Sequence, residues 1–418
     1  MKTLLLSTHD TLGGAAIAAF RLLRGLNDIG TKARMLVNEK HSADPNVIVL
    51  NNNRYQNAVT KLRSVVDLQP LYTLYPQRHR TAYSLNWLPD RTVRAINTFS
   101  PDIVNLHWIN AGFIRLENLK KIRAPIVWTL HDMWAFTGGC HYNNHCQKFT
   151  ASCGACPLLK GHRAHDLSRW IWRRKKRAWK DLKFRVVTPS RWLAERATES
   201  SLFRDRPIDV IPYALDTQIF RPIEQTIARD LLRIPQNRRI VLFGSVDPLK
   251  DPRKGFHILK GALRRLLASF DSEELGLAFF GAGPEGGNVD FGYPTYAIGR
   301  LNDGITLALA YSAADVFLAP SLQDNLPNTV MEAMACGTPC VAFNIGGMPD
   351  MIDHMKNGFL VQPFDTNEFA QGIGWLLEEN ARLKEQSECA RQKALEAFAL
   401  EIQAQRYRDL YYKMIREG

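Results

Sequence analysis

Short runs rich in Leu, Ile and Val alternate with longer amphipathic stretches along nearly the whole chain. Parallel strands cannot be joined by tight turns and need crossover helices, so this alternation points to parallel sheets covered by helices. In the first half the strand candidates are 4–7, 34–37, 47–50, 103–107, 126–130, 185–187 and 209–211. A second series occupies 239–243, 277–280, 295–298, 316–319, 340–343 and 359–361. Helices fit between them, for example over 303–313 and 328–335. A polar, Pro-containing stretch at 216–235 separates the two series, and 418 residues exceed what one core usually supports. The expectation is an α/β protein of two doubly wound domains, 1–215 and 216–398, facing a central cleft. Each would offer ligands the carboxyl ends of its strands. The last stretch, helical in composition and carrying Tyr407, Tyr411 and Tyr412, is expected to pack back on the first domain from about residue 399 to 418.

No apolar run approaches the roughly 20 residues needed to span a bilayer. The segment Met1 to Thr8 leads into Gly13-Gly14 and reads as an opening strand, not a signal peptide, so a cytoplasmic protein is expected. The net charge of +13 favours anionic partners. Much of it sits between Lys160 and Arg191, where twelve Lys and Arg face only Asp166 and Asp181. Within that stretch, Trp170, Trp172 and Trp179 interleave with cations from Arg169 to Lys180. On a helix this suits an anionic membrane surface, and equally a basic surface helix whose Trp side chains pack inward. No nucleic-acid module accompanies it, so nucleic acid is not an expected partner.

Chemistry concentrates between Ala319 and Pro339. A strand ends near Pro320, a polar loop carries Asp324, and a helix begins near Pro327 or Asn328. First-turn amides of such a helix suit a diphosphate. Glu332 lies eight positions after Asp324, a spacing that can set one carboxylate beside a sugar ring and the other beside a ribose. The bland alternative is a capping Asp and a solvated Glu.

This segment resembles the retaining family-four glycosyltransferases of the GT-B fold. The matching words are Asp324…Glu332-Ala-Met-Ala-Cys-Gly337-Thr-Pro339 and Gly346-Gly347-Met-Pro-Asp350. The resemblance implies that Glu332 binds the donor's ribose and that Asp324 contacts the transferred sugar. It also implies that Asn325 and Leu326 offer backbone amides to phosphate or sugar. Most members carry Glu where this chain has Asp324, which keeps the charge and shortens its reach. Gly13-Gly14 looks like the family's glycine loop, and His131-Asp132 like its strand-end His beside the reaction centre. Further landmarks match at Thr188-Pro-Ser190 and at Val210-Ile-Pro212, where Tyr213-Ala214 replaces the usual Asn-Gly. The family's diphosphate-binding pair usually reads Gly-Arg…Lys-Gly. Here Lys254 matches the Lys, Ser245 stands where Arg is expected, and Arg253 or Lys250 supplies the second charge.

The resemblance implies hexosyl transfer from a UDP- or GDP-sugar to a glycan or polyprenyl-linked acceptor, by a front-face route needing no cofactor. His131 would touch the sugar, with Asp324 and Lys254 beside it. Similar chains build bacterial exopolysaccharides on the inner face of the plasma membrane, and such enzymes include colanic-acid-type transferases. Rival readings are a GT-B epimerase, a glucan synthase or phosphorylase, and a degenerate sugar-binding scaffold.

Cys140, Cys146, Cys153 and Cys156 fall within seventeen residues and end in Cys-x2-Cys. Four thiolates at this spacing can hold a structural zinc, with His141 and His145 as substitute ligands. Reduced packing cysteines and disulfides are the alternatives.

Overall fold

The computed structural model describes residues 1–50, 54–245, 251–281 and 291–417. The chain divides into two compact units, Met1–Pro212 with Gln403–Gly418, and Tyr213–Ile402.

Among the described residues, unit 1 carries strands β1 (Lys2–His9), β2 (Lys32–Glu39), β3 (Val47–Val49), β4 (Ile103–Leu106), β5 (Ile126–Thr129), β6 (Arg185–Thr188) and β7 (Ile208–Val210). They form one parallel sheet in the order β3-β2-β1-β4-β5-β6-β7. Unit 2 carries β8 (Arg239–Gly244), β9 (Leu275–Phe280), β10 (Thr295–Gly299), β11 (Val316–Ala319), β12 (Cys340–Phe343) and β13 (Gly358–Val361), ordered β10-β9-β8-β11-β12-β13. Both sheets are covered on two faces, which is why central strands such as β4, β5, β9 and β11 are buried at every residue, and β9 and β11 carry no polar side chain at all. The α/β expectation of two doubly wound sheets is met.

In each sheet the winding reverses once, between β1 and β4 in unit 1 and between β8 and β11 in unit 2. Beyond the carboxyl ends of those strand pairs lies the crevice where such sheets take ligands. Two apolar clusters sandwich the sheet of unit 1. One is centred on Trp128, packed edge-on against Trp179, Phe184 and Phe203. The other includes Leu22, Leu23 and Leu26 of helix Gly14–Asp28 and Tyr407 and Tyr411 of helix Leu400–Glu417. A single large cluster under helices Phe256–Leu266 and Thr366–Leu377 builds the core of unit 2.

The stretch expected as a polar connection contains helix Gln225–Leu232 instead. Its Arg229 is buried, and the guanidinium bonds Asp315 Oδ2 at 2.8 Å and the carbonyls of Ala313, Gln236 and Arg238. Asp315 also accepts from the Ile240 amide at 2.6 Å, so this pair pins the helix to the start of β8. The basic stretch forms helix Leu167–Trp179, capped by Asp166. Trp172 and Trp179 are buried, and Trp170 is the exposed tryptophan of this helix. Two of the three indoles are therefore spent inside the unit, as in the inward-packing alternative. No helix among the described residues is long and apolar enough to cross a membrane.

Candidate active site

At the switch point of unit 2, Ser245 follows β8 with its side chain buried, and its Oγ has no hydrogen-bond partner among the described residues. Lys250 lies outside the described residues. The chain returns through the short turn Pro252–Lys254, capped by Asp251. The same Asp251 grips the Arg253 guanidinium in a fork, Nε at 3.1 Å and Nη2 at 2.6 Å. Arg253, one of the two candidates for the second positive charge, is thus paired with a carboxylate. Gly255 adopts a φ of +71°, and a Cβ there would sit 1.8 Å from the Pro320 carbonyl. Only glycine lets this loop lie against the end of β11, where the Leu322 amide donates to Arg253 O at 2.6 Å.

That close approach delivers Lys254 Nζ to Asp324 Oδ2 at 2.6 Å. Asp324 is buried and also accepts from the Asn325 amide at 3.0 Å. Burial pushes its pKa up, but the charges of Lys254 and Arg253 and the amide outweigh that and hold it below the ordinary value. From the other side Gly346, with a φ of +54°, fits where a Cβ would lie 1.8 Å from Asp324 O. Helix Asn328–Ala335 then begins with Pro327 as its flanking residue and no side chain capping it. Asn325 and Leu326 are buried on the approach. Glu332, in the second turn, is buried too and accepts from Tyr311 Oη at 3.0 Å. Tyr311 is itself fixed edge-on against Phe280 and Phe317. Glu332 is therefore no solvated surface carboxylate.

In unit 1, Gly13, at φ 90°, precedes helix Gly14–Asp28 directly beyond β1. His131 follows β5, and its Nε2 lies 3.0 Å from Nδ1 of His107, which follows β4. Burial draws both pKa values down, His131 to about 4 despite the raising charge of Asp132. Both rings are therefore neutral near pH 7, one donating to the other. Asp132 accepts from Trp108 Nε1 at 3.2 Å, the Trp134 amide at 2.8 Å and His141 Nδ1 at 2.7 Å. His141 Nε2 in turn meets Ser84 Oγ at 2.9 Å. His107, Trp108 and Ser84 were not expected from the sequence, and His141, expected only as a substitute metal ligand, holds Asp132 instead. A usable signal existed for His107, because Leu-His closes both β4 and β5.

All four clustered cysteines are free thiols lining one small cavity. Burial pushes Cys153 up to about 12 and Cys156 up to about 11. A second group, His9, Glu39 and His41 at the ends of β1 and β2, has all its donor atoms within 4.8 Å of one another.

These two sites, each at a switch point, define the class: a two-unit α/β protein of the GT-B kind. The fold is shared with sucrose-phosphate synthase from Thermosynechococcus elongatus, at a TM-score of 0.69, 19% identity and 100% of both chains covered. It is shared as well with HepE from Anabaena in complex with UDP, at a TM-score of 0.67, 18% identity and 99% and 100% of the chains covered. In sequence, residues 12–219 match the family described as Glycosyltransferase Family 4, and residues 237–379 match Glycosyl transferases group 1. The chain belongs to these group 1, family 4 glycosyltransferases. A D-inositol 3-phosphate glycosyltransferase from Nocardia farcinica is 27% identical over 297 residues, 68% of this chain and 60% of that protein. Across three such relatives the matched stretch spans 60%, 51% and 46% of their lengths, about half. Their names concern inositol phosphate, not exopolysaccharide or colanic acid.

Proposed function

We propose that this protein transfers a hexose-type sugar, with retention, from a nucleoside-diphosphate sugar to a hydroxyl of a glycan or lipid-linked acceptor. The observation that supports this reading most is the Lys254–Asp324 pair, held 2.6 Å apart beside an uncapped helix start. A donor diphosphate would draw Lys254 onto its oxygens and take the first-turn amides, freeing Asp324 to bind a hydroxyl of the sugar. The unpartnered Ser245 Oγ is a third group for phosphate, and Glu332 would take the ribose. In this reading unit 2 holds the donor and unit 1 the acceptor.

The sugar–phosphate bond breaks as the acceptor oxygen bonds the same face of the anomeric carbon, and the acceptor proton passes to a donor phosphate oxygen. His131, neutral near pH 7, serves the sugar as a hydrogen-bonding group and not as an acid. HepE was solved with UDP, which makes a UDP-sugar the first donor to try. The Nocardia relative is named for D-inositol 3-phosphate, so small polyol phosphates belong in the acceptor screen beside glycans.

Calorimetry against UDP, GDP, ADP and their sugar conjugates tests the reading, with Glu332→Ala alongside. The expected result is selective binding of one nucleotide, lost in the variant. A folded wild-type protein that binds none of them, or a variant that binds as well as wild type, overturns it.

A further inference from the structure

The cysteine-bearing loop joins β5 to helix Leu167–Trp179, and the proposed sugar transfer leaves it unused. Cys140, Cys146, Cys153 and Cys156 line the same cavity of about 20 Å³. That is room for one particle the size of a water molecule or a single ion. None of the four is in a disulfide.

Three features of the surroundings suit a closed site built from these sulfurs. First, the backbone packs tightly against them: a Cβ on Gly138 would lie 2.6 Å from the Cβ of Cys153. Second, the loop is built for tight turning around the sulfurs: Gly154 has a φ of +149° and Ala155 one of +43°. Asp166 clamps the turn by accepting from the Cys156 amide at 2.7 Å while capping the helix after it through the Arg169 amide at 3.0 Å. Third, Lys175 is fully buried beside Cys140 and Cys153. Its Nζ bonds the carbonyls of Trp134 and, at 3.1 Å, Thr137, and lies over the Trp134 ring. Among the described residues no carboxylate stands within ion-pair distance of it. Burial this deep disfavours a charged amine, so a negative group has to sit close for Lys175 to be a cation here.

We propose that Cys140, Cys146, Cys153 and Cys156 hold a structural zinc ion in a closed four-thiolate site, with Lys175 as its countercharge. Binding exchanges thiol protons for Zn²⁺ and leaves a centre of net charge −2. A cavity for one particle fits a single ion and not an iron–sulfur cluster. Zinc–sulfur bonds of about 2.3 Å set tetrahedral sulfurs about 3.8 Å apart. No three of these sulfurs stand within 4.8 Å of one another, so the ion draws the side chains inward by rotation. The site has a consequence for unit 1. Cys140 precedes His141, whose carbonyl accepts from the Met133 amide at 2.9 Å and whose ring holds Asp132. A bound ion thereby braces the segment that carries His131.

This proposal stands independently of nucleotide binding, and its test reads metal directly. The full chain is purified under reducing conditions without added metal and its metal content measured by mass spectrometry. About one zinc per chain is expected. It should be lost in Cys153→Ser and in Cys156→Ser, and kept in the control Cys389→Ser of unit 2. If the serine variants fail to fold, wild-type protein is stripped with a mercurial and reloaded with Co²⁺. Intense thiolate-to-cobalt absorption then supports the site. Zinc below about one-tenth per chain, zinc that persists in both serine variants, no thiolate band with cobalt, or disulfides in alkylated unreduced protein would each overturn it.

Discussion

The two units satisfy their buried polar groups by different means. Unit 2 sets charge against charge: Arg229 against Asp315 at 2.8 Å and Lys254 against Asp324 at 2.6 Å. At the strand ends of unit 1 the partners are mostly neutral. His107 meets His131, Ser84 meets His141, and Asn105 meets Tyr411. Even its buried acid Asp10 is answered by the amides of Thr11, His41 and Ser42. The contrast fits the proposed division of labour. An anionic diphosphate needs cations that can change partner, whereas sugar hydroxyls are recognised by neutral donors and acceptors whose protonation stays fixed near pH 7.

The contrast is broken most directly at Asp315. Asp315→Ala leaves Arg229 charged and buried and strips the Ile240 amide of its acceptor. Breaking a buried pair from one side costs about 3–5 kcal/mol. Hydrogen exchange at Ile240 should speed up accordingly, while amides in β1 and β4 keep their protection. A loss below about 1 kcal/mol would mean that unit 2 does not depend on this pair more than on an ordinary hydrogen bond.

Next in size is Lys254→Ala. If Lys254 neutralises the departing diphosphate, turnover should fall by about 10²–10³, or 2.7–4 kcal/mol of barrier. Lys254→Arg should recover part of that loss by keeping the charge. The variant also leaves Asp324 buried without its cation, so thermal unfolding is measured beside the kinetics. Loss of stability with unchanged turnover per folded molecule would assign Lys254 to the fold and not to the donor.

Acid should find unit 1 before unit 2. His131 and His107 are held neutral in the folded protein but bind protons below about pH 6.5 once unfolded. The unfolded state then takes up more protons, and stability falls as pH drops from 6.5 toward 4. His131 alone costs on the order of 3 kcal/mol by pH 4, and the loss levels off below that. Asp324 has the opposite timing. Its folded pKa is lowered, so its contribution disappears only below the ordinary carboxylate value of 3.8. Denaturation series between pH 7 and 4 should therefore show unit 1 weakening first, with a shallower slope in His131→Gln. Equal slopes in both proteins would rule out His131 as the titrating group.

The sheets were legible because strands buried on both faces leave mostly apolar runs, and every strand expected from the sequence has an observed counterpart. Helix Gln225–Leu232 was not, because Arg229 reads as a surface charge until Asp315, 86 positions away, is seen to neutralise it. The acidic positions of the candidate site were legible through the family-like words around them, since their spacing alone equally fits a capping Asp and a solvated Glu. The meeting of Lys254 with Asp324 did not, since it depends on Gly255 touching Pro320, a contact between strand-end loops. The inward turn of Lys175 was equally hidden. Its neighbours Arg173, Lys176 and Arg177 are exposed, and composition cannot say which cation of the run faces the core.

The smallest effect sharpens the contrast furthest. Thr129 donates to Asn105 Oδ1 at 3.0 Å, and Thr129 Oγ1 lies 3.0 Å from Tyr407 Oη. Thr129 spends its proton on Asn105, so Tyr407 must be the donor in that second bond. Asn105 Nδ2 then donates to Tyr411 Oη at 2.7 Å. Tyr407→Phe removes a donor but leaves Thr129 its bond to Asn105, while Tyr411→Phe leaves an amide hydrogen of Asn105 buried with nothing to accept it. Net losses near 1 kcal/mol are expected for both, with Tyr411→Phe the larger because an orphaned buried donor costs about 1–3 kcal/mol. A double-mutant cycle should show coupling through Asn105 and Thr129. If either change costs as much as Asp315→Ala, the neutral network of unit 1 is as demanding as the ion pairs of unit 2, and the contrast between the units fails.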